Sequence, residues 1–387
     1  MMAFEESTLA TTDQARTTTV DFDLHHLIGI RLLNPTPGDV RAVAQQLGIE
    51  QSSLQREPDI LIRFVAKFPS NSALNRLGLH EAGYSQDAFF VLQTKHKAPT
   101  KVHIEFNQIG QQVEIVCESG LAAVPLLIAV LNMTAITRGI LPLHAAAFRY
   151  QGRDYLVTGW SKGGKTETLL TFTSQGAEYI GDEWIYIDTA TERLYGVPEP
   201  IRVWDWHLQQ LPTLRRRIGW QRRARLSVLG GAQRVSKFLL RTLARTSGAK
   251  RGLRQMVRLF SEQMYVDVPP KTLSGTPTTP RAGTLETIVF VSTWESPEVC
   301  VEAVAPEEVA RRMAASLAYE RLPFMAYYHM YRFAFPDRRN PVVDNIEERE
   351  TEMLTRLFAG KQCCILNHPY PVSFSELFEA LKQYDHA

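Results

Sequence analysis

The stretch that decides the fold is Gly159-Trp160-Ser161-Lys162-Gly163-Gly164-Lys165-Thr166, which fills every fixed position of the phosphate-binding pattern G-x-x-x-x-G-K-[ST]. Glycines let the backbone curl tightly around phosphates, and the lysine ammonium reaches the terminal phosphates. The threonine hydroxyl is a ligand for Mg²⁺. The pattern therefore predicts a site for ATP and Mg²⁺ in which these eight residues contact the nucleotide and Thr166 contacts the metal.

The flanking residues predict a strand before this loop and a helix after it, which is the context that the pattern requires. Arg153–Thr158 is rich in β-branched and aromatic residues. From Lys165 a helix is predicted to about Ser174, and Gly176 is a typical C-terminal stop. Without these two elements, the glycines would indicate only a surface turn.

A histidine is predicted to lie beside the loop because a hairpin precedes it. Gln151-Gly152 has the composition of a two-residue turn between the run 141–150 and the strand that enters the loop. Counting back from that turn places His144 opposite Gly159. An imidazole there, with an ordinary pKa of about 6.5, can bind a phosphate, hold an acid or relay a proton. The alternative is a half-buried structural histidine at the start of a strand.

Two adjacent carboxylates, Asp182 and Glu183, fall inside the predicted strand Ala177–Asp188. A strand, a helix and a returning strand form a crossover that directs the second strand parallel to the first and brings its acids to the phosphate-binding edge. Neighbouring residues of a regular strand point to opposite faces, so both carboxylates reach one cleft only if a bulge at Gly181 turns the chain. We expect one to be the base and the other to bind the metal; the alternative is a solvated acidic pair.

The combination of His144, the phosphate loop and the Asp182-Glu183 pair resembles the HPr kinase/phosphorylase family in order and spacing. The resemblance is concentrated in residues 140–205. It implies a P-loop kinase domain with a mixed sheet, similar in fold to ATP-type phosphoenolpyruvate carboxykinase. It also implies Mg²⁺-dependent phosphoryl transfer from ATP to a hydroxyl, typically of a protein serine, with Lys165 on the phosphates and the histidine and acids managing the proton.

The chain departs from that family at several positions. Members that act on HPr usually have two aspartates at the acidic pair, and small residues where this loop has Trp160 and Lys162. In that family a glycine-rich segment is the signature of the reverse, phosphate-removing reaction. This chain has only a partial counterpart of it, at Gly196–Val203. Within that counterpart, Glu199 is a candidate metal ligand and Arg202 a candidate phosphate contact. The sequence therefore leaves three classes of molecule as the carrier of the acceptor hydroxyl: a protein, a peptide or a small metabolite.

The whole chain has the composition of an ordinary globular protein. Its 387 residues carry 43 Lys and Arg against 41 Asp and Glu, a formal net charge of +2. We expect a disordered polar lead-in at 1–19, a small α/β N-terminal domain at 20–135 and an α/β P-loop kinase domain at 136–387. The longest apolar stretch, Leu121–Met133, is too short to span a bilayer. Four cysteines without metal-site spacing further indicate a cytoplasmic protein with reduced thiols.

A basic insertion is predicted within the kinase domain at about 205–275. Between Asp205 and Lys271 there are 15 Lys and Arg and three acidic residues, a net charge of +12, so the rest of the chain carries −10. Apolar residues at helical spacing predict a basic amphipathic helix over Val235–Phe260. Such a helix suits an anionic membrane, an acidic partner or nucleic-acid phosphates, although no named nucleic-acid module is present. The alternative is a mobile, solvated insertion.

The C-terminal region carries no further chemical motif. It predicts a strand at Thr284–Thr293, a helix at Pro306–Leu317 and a closing amphipathic helix at Ser373–Tyr384. His368 precedes a proline in a predicted turn, and we expect it to be structural.

Two functional hypotheses of different class follow. The first is an ATP-dependent kinase acting on a hydroxyl. The second is an ATP-binding regulatory scaffold that recruits an acidic partner or a membrane, which needs the loop and Mg²⁺ but no base at Asp182 or Glu183. Hydrolysis of ATP without an acceptor is a third, and a homo-oligomer is compatible with each.

Overall fold

The computed structural model describes residues 18–69, 73–93, 98–242, 247–274 and 282–386, which form a mixed α/β protein with two large mixed sheets and a two-stranded ribbon. The predicted α/β class is thereby confirmed. Most of the predicted lead-in, residues 1–17, lies outside the described residues, and Thr19 already begins the first strand. No helix in the described ranges combines the length and the apolar character needed to cross a bilayer.

Among the described residues, the N-terminal part forms an eight-stranded sheet. Its strands are β1 (Thr19–Leu24), β2 (Ile28–Leu33), β3 (Ile60–Val65), β4 (Asn75–Leu77), β5 (Ala82–Tyr84), β6 (Phe89–Gln93), β7 (Pro99–Ile104) and β8 (Val113–Glu118). They are ordered β1-β2-β3-β8-β7-β6-β5-β4, with β3 parallel to both β2 and β8. Helix α1 (Pro37–Leu47) connects β2 to β3, and the predicted apolar stretch ends in helix α2 (Leu127–Thr137).

A second, nine-stranded sheet is built from the later described residues and carries the phosphate loop. The later strands are β9 (Ile140–Tyr150), β10 (Arg153–Gly159), β11 (Glu178–Gly181), β12 (Trp184–Asp188), β13 (Arg193–Gly196), β14 (Ile201–Trp204), β15 (Tyr265–Val268), β16 (Ala282–Thr284), β17 (Thr287–Thr293), β18 (Cys300–Ala303) and β19 (Gln362–His368). The sheet order is β16-β13-β12-β9-β10-β17-β19-β18, with β11 also on β9, whereas β14 and β15 form the ribbon.

The phosphate loop joins the end of β10 to helix α3 (Lys165–Ser174), as the sequence predicts. Strands β9 and β10 pair in the register counted back from the turn, from Tyr150 opposite Arg153 to Ala145 opposite Thr158. The next residue, His144, lies opposite Trp184 of β12. Strand β11 runs in the same direction as β10, but β9 lies between them and is antiparallel to both. The crossover through α3 therefore returns the chain to the edge of the sheet where the loop lies.

The single strand predicted over Ala177–Asp188 is wrong, because the chain breaks between β11 and β12 at Asp182 and Glu183. The pairing of β11 with β9 shifts register between Tyr179 and Gly181. Glu183 has a φ of 65°, in the left-handed region that residues other than glycine seldom adopt. The irregularity that the sequence places at Gly181 is therefore present, and it removes both carboxylates from regular strand alternation.

The basic segment folds into helices next to the ribbon. They are α4 (Asp205–Gln210), α5 (Pro212–Arg217), α6 (Trp220–Thr242), α7 (Ser247–Gln263) and α8 (Pro270–Ser274). The single helix predicted over Val235–Phe260 is wrong, since its residues belong to α6 and α7; residues 243–246 and 275 lie outside the described residues. The two helices pack as a hairpin in which Gln233 Nε2 donates to Ser261 Oγ at 2.6 Å.

The C-terminal helices cover both sheets. They are α9 (Pro306–Glu320), α10 (Leu322–Ala334), α11 (Pro341–Asp344), α12 (Ile346–Phe358) and α13 (Phe374–His386). Residues of α9 and α12 bury one face of the second sheet, and residues of α3 and α13 bury the other. Phe324 and Tyr331 of α10 belong to the core of the first sheet. Because this core draws on both parts of the chain, the domain division at residue 135 stays a prediction.

Candidate functional site

Close packing requires glycine at two positions of the phosphate loop. Gly159 has a φ of 151°, and a Cβ there would overlap the carbonyl oxygen of Val291 in β17. Gly164 has a φ of 111°, and a Cβ there would overlap Nε2 of His368. Any other residue would force the loop away from the sheet. These glycines therefore fix the loop against the ends of β17 and β19.

Lys165 lies within the curl of the loop. Its side chain is buried, and Nζ donates hydrogen bonds to the carbonyl oxygens of Gly159 at 3.1 Å and Trp160 at 3.0 Å. Burial lowers the pKa of the Lys165 ammonium, although the nearby carboxylates of Glu183 and Glu320 oppose that shift. The ammonium is thus placed at the loop, in a largely water-excluded and acidic environment.

Asp182 contacts the first turn of α3, the helix that follows the phosphate loop. It is 3% exposed and accepts a hydrogen bond from Thr166 Oγ1 at 3.1 Å. Burial, followed by the charge of Glu183, raises the pKa of Asp182 to about 7. In nucleotide sites Mg²⁺ is held by one or two protein oxygens together with phosphate oxygens and water. Thr166 and Asp182 are oxygen-bearing side chains of this kind, so a metal at this pair stays a prediction. The described residues contain no cluster of three or more His, Cys, Asp or Glu suited to a metal.

His144 lies between two carboxylates. Its Nε2 is 3.1 Å from Glu183 Oε2, and its Nδ1 is 2.8 Å from Glu320 Oε1. Burial opposes charge on the ring, but the hydrogen bonds to Glu183 and Glu320 raise the pKa of His144. The same bonds lower the pKa of both carboxyl groups. Because both ring nitrogens face acceptors, the doubly protonated imidazolium is the form that satisfies both bonds.

A cavity of about 520 Å³ opens beside His144. It is lined by Glu199 and Arg202, the candidate metal ligand and the candidate phosphate contact. Burial and the charge of Glu183 raise the pKa of Glu199 to about 7. Arg202 is exposed, lies 3.6 Å from Asp267 and stacks over the ring of Tyr265 at 4.2 Å. A metal at Glu199 and a phosphate at Arg202 stay predictions, but both side chains share a cavity with the histidine and acids.

The remaining loop residues form an exposed edge and a buried edge. Trp160 is half exposed and its ring lies 4.7 Å from that of Tyr319, which precedes Glu320 on α9. Lys162 is exposed, with a φ of 63°, and Ser161 is partly buried. Gly163 is buried, and its carbonyl oxygen lies 3.0 Å from Nε2 of His368. Nucleotide contacts by these residues stay predictions.

Two residues of this site were not assigned to it by the sequence analysis. Glu320 ends α9, three residues beyond the helix predicted there, and no motif marks it. His368, expected only to be structural, is fully buried against the loop at the end of β19. The sheet accounts for the place of His368: β17 is parallel to both β10 and β19, and the carboxyl ends of such strands meet at one edge.

A buried histidine of the basic segment also holds the loop helix. Nδ1 of His207 accepts a hydrogen bond from the Trp204 backbone N–H at 3.2 Å, so Nε2 is the nitrogen that donates to Glu167 Oε1 at 3.1 Å. Glu167 lies in the first turn of α3; burial opposes its charge, but the bond from His207 lowers the pKa of its carboxyl group. The start of the basic segment is thereby tied to the phosphate loop.

Comparisons of the chain with protein-family models and with curated proteins found no match. The fold and the site themselves describe a mixed α/β protein. At one edge of its second sheet, a glycine loop, a buried lysine, a histidine and three acids meet.

Proposed function

We propose that this protein is an ATP-dependent phosphotransferase that moves a phosphoryl group from ATP to a hydroxyl with the help of Mg²⁺, using a P-loop kinase domain like that of the HPr kinase family it resembles. The observation that carries the proposal is the contact of His144 with Glu183 and Glu320 beside the loop. A site that only binds a nucleotide needs a loop, a lysine and a metal, but no linked acid–base residues.

On the nucleotide side, the loop amides and Lys165 would hold the phosphates, while Thr166 and Asp182 would hold Mg²⁺. The bound ion supplies charge neutralisation on the phosphates. Lys165 is buried, so its charge acts on a phosphate with little screening by water. Arg202 offers a second positive charge from the cavity. Phosphoryl transfer depends mainly on such positioning and neutralisation, which suits these residue types.

On the acceptor side, the cavity beside His144 would receive the hydroxyl. The hydroxyl oxygen attacks the terminal phosphorus, the bond from phosphorus to the nucleoside diphosphate breaks, and the hydroxyl proton passes to Glu183. We assign the base to Glu183 because its carboxylate lines the cavity, whereas Asp182 is buried against Thr166. His144 would orient Glu183, and Glu320 would orient the ring.

The second candidate is an ATP-binding scaffold without phosphoryl transfer. The observation that favours it is the basic segment, whose net charge of +12 indicates recruitment of an anionic partner. The two candidates differ in the acids: a scaffold does not need Glu183.

Incubation with γ-labelled ATP, Mg²⁺ and cell lysate separates these cases. Label on a discrete acceptor supports the kinase, release of free phosphate alone supports an ATPase, and nucleotide binding without either product supports the scaffold. Glu183→Gln should abolish labelling but leave nucleotide binding intact, while the exposed control Glu298→Gln should label normally. Undiminished labelling by Glu183→Gln would remove that residue as the base.

A further inference from the structure

Helix α6 carries a row of exposed apolar side chains, here named the outer stripe: Trp220, Val228, Val235 and Phe238, which are 69, 72, 58 and 63% exposed. At 100° per residue, these positions return to one face of the helix. Large apolar groups concentrated on one exposed face are uncommon on a protein that works alone in water. The outer stripe therefore indicates a surface that meets another phase or molecule.

Packing within the chain buries the opposite face of α6. Leu226 and Ser236 are 5 and 4% exposed, and Gln233 is bonded to Ser261 of α7. A surface helix normally presents polar residues on the side away from its core. The inner face of α6 is thus buried against α7 and the body of the protein, whereas Trp220, Val228 and Val235 of the outer stripe stay largely exposed.

Positive charge surrounds the outer stripe. Residues 206–261 contain 14 Lys and Arg and no Asp or Glu. Arg223 and Arg234, both exposed, lie on one flank of the stripe, because eleven residues are close to three full helical turns. Helix α7 adds exposed Met256 and Leu259, at 45 and 48%, to the same hairpin. Exposed apolar groups bordered by arginines are the pattern of helices that lie in a membrane interface.

We propose that the α6–α7 hairpin docks on an anionic lipid bilayer, with the outer stripe among the acyl-chain boundaries and the flanking arginines on lipid phosphates. The outside of a helix is convex, which suits a deformable bilayer, whereas peptide ligands generally lie in grooves or along sheet edges. A second copy would bring two surfaces of like charge together, which is unfavourable. The helix would lie along the surface, and the site residues proposed for catalysis are not part of it.

Flotation of the full chain with lipid vesicles tests this inference. At low salt the protein should float with vesicles of phosphatidylcholine containing phosphatidylglycerol and not with phosphatidylcholine alone, and high salt should weaken the binding. Arg223→Gln/Arg234→Gln should lower the partition coefficient by about 25-fold, since each basic residue near an anionic surface contributes about fivefold. Val228→Ser/Val235→Ser should lower it by about tenfold.

The matched control is Leu79→Ser/Leu322→Ser, which removes two apolar side chains that are 87 and 56% exposed elsewhere on the molecule. This variant should float like the unmodified protein. Circular dichroism establishes that each variant is folded. Absence of flotation with anionic vesicles at low salt overturns the proposal, as does equal loss in the control. A doubled mass in light scattering that Val228→Ser/Val235→Ser returns to the monomer would instead assign the stripe to a second copy. Because nucleotide turnover is not measured, failure here leaves the proposed kinase activity unaffected.

Discussion

Nδ1 of His144 lies 2.8 Å from Oε1 of Glu320, a contact that joins β9 to the end of α9 across 176 residues of sequence. It places a second carboxylate against the ring, on the side opposite the carboxylate of Glu183. Each carboxylate favours the protonated ring, so the pair holds the pKa of His144 above its ordinary value despite burial. Glu320 is thus positioned to control the charge of the residue that orients the proposed base.

Glu320→Gln should therefore lower the pKa of His144. Removal of one hydrogen-bonded carboxylate leaves burial, which disfavours the charged ring, opposed by Glu183 alone. NMR of histidine-labelled protein, with the signal assigned by comparison with His144→Gln, measures this shift directly. The alkaline limb of the activity profile should move to lower pH in the same variant.

The matched control for that titration is Glu308→Gln, which breaks a surface ion pair with Arg312 on the same helix. It should leave the pKa of His144 unchanged. If Glu320→Gln alters activity without moving that pKa, Glu320 serves only to hold α9 in place.

Lys165→Ala should reduce ATP turnover by about a thousandfold while leaving the fold intact. The lysine is the buried cation at the loop, and its loss removes the charge proposed to stabilise the transferring phosphoryl group. Steady-state phosphate release and circular dichroism give the two readouts. Lys67→Ala, a change at an exposed lysine of the first sheet's region, should retain full turnover. Normal turnover by Lys165→Ala would exclude the loop as the nucleotide site.

Local sequence patterns predicted the parts of this fold that depend on neighbouring residues. The loop, the strand before it, the helix after it and the hairpin register that places Ala147 opposite Leu156 are all local features. The bulge near Gly181 was foreseen as a possibility, because a regular strand cannot aim two adjacent carboxylates alike.

The distant parts of the site were beyond that kind of argument. Glu320 reaches His144 only because α9 packs on the second sheet, and a glutamate at the end of an amphipathic helix has the same local pattern whether it faces water or a histidine. The basic segment has one helical periodicity over Val235–Phe260, but the structure divides it between α6 and α7. Both helices have the same period, so the period alone cannot show that there are two of them.

Asp182→Asn should stabilise the protein at alkaline pH. The pKa of Asp182 rises from 3.8 to about 7 on folding, so the folded state binds a proton more tightly and folding stability falls as pH increases through that window. Asparagine cannot ionise and avoids this loss. Thermal unfolding should show a higher Tm than the unmodified protein at about pH 8 and little difference at about pH 4. Phosphoryl transfer should be lost in the same variant.

Asp188→Asn is the control of opposite sign on the neighbouring strand. Burial opposes the charge of Asp188, but hydrogen bonds from Thr191 and Ala190 lower its pKa below 3.8. Its contribution is present above that value and is lost only as pH falls, so the asparagine variant should be less stable at about pH 8. Equal Tm changes in the two variants at alkaline pH would contradict the burial argument for Asp182.

His368→Ala should weaken ATP binding more than it slows chemistry. The ring is fully buried, packs beneath Gly164 and lies within hydrogen-bonding distance of the Gly163 carbonyl oxygen, so alanine removes both the support and the bond that hold the loop against β19. Loss of one such bond predicts about a tenfold rise in KM for ATP, with kcat changed less.

His368→Gln separates the hydrogen bond from the ring. Its amide N–H can reach the same carbonyl oxygen, so this variant should recover most of the affinity that alanine loses. Titration with a fluorescent ATP analogue measures affinity independently of turnover. Because His368 would act through the loop and contact no reacting atom, a large fall in kcat with unchanged affinity, equal in both variants, would place the ring in the chemistry and refute a positioning role.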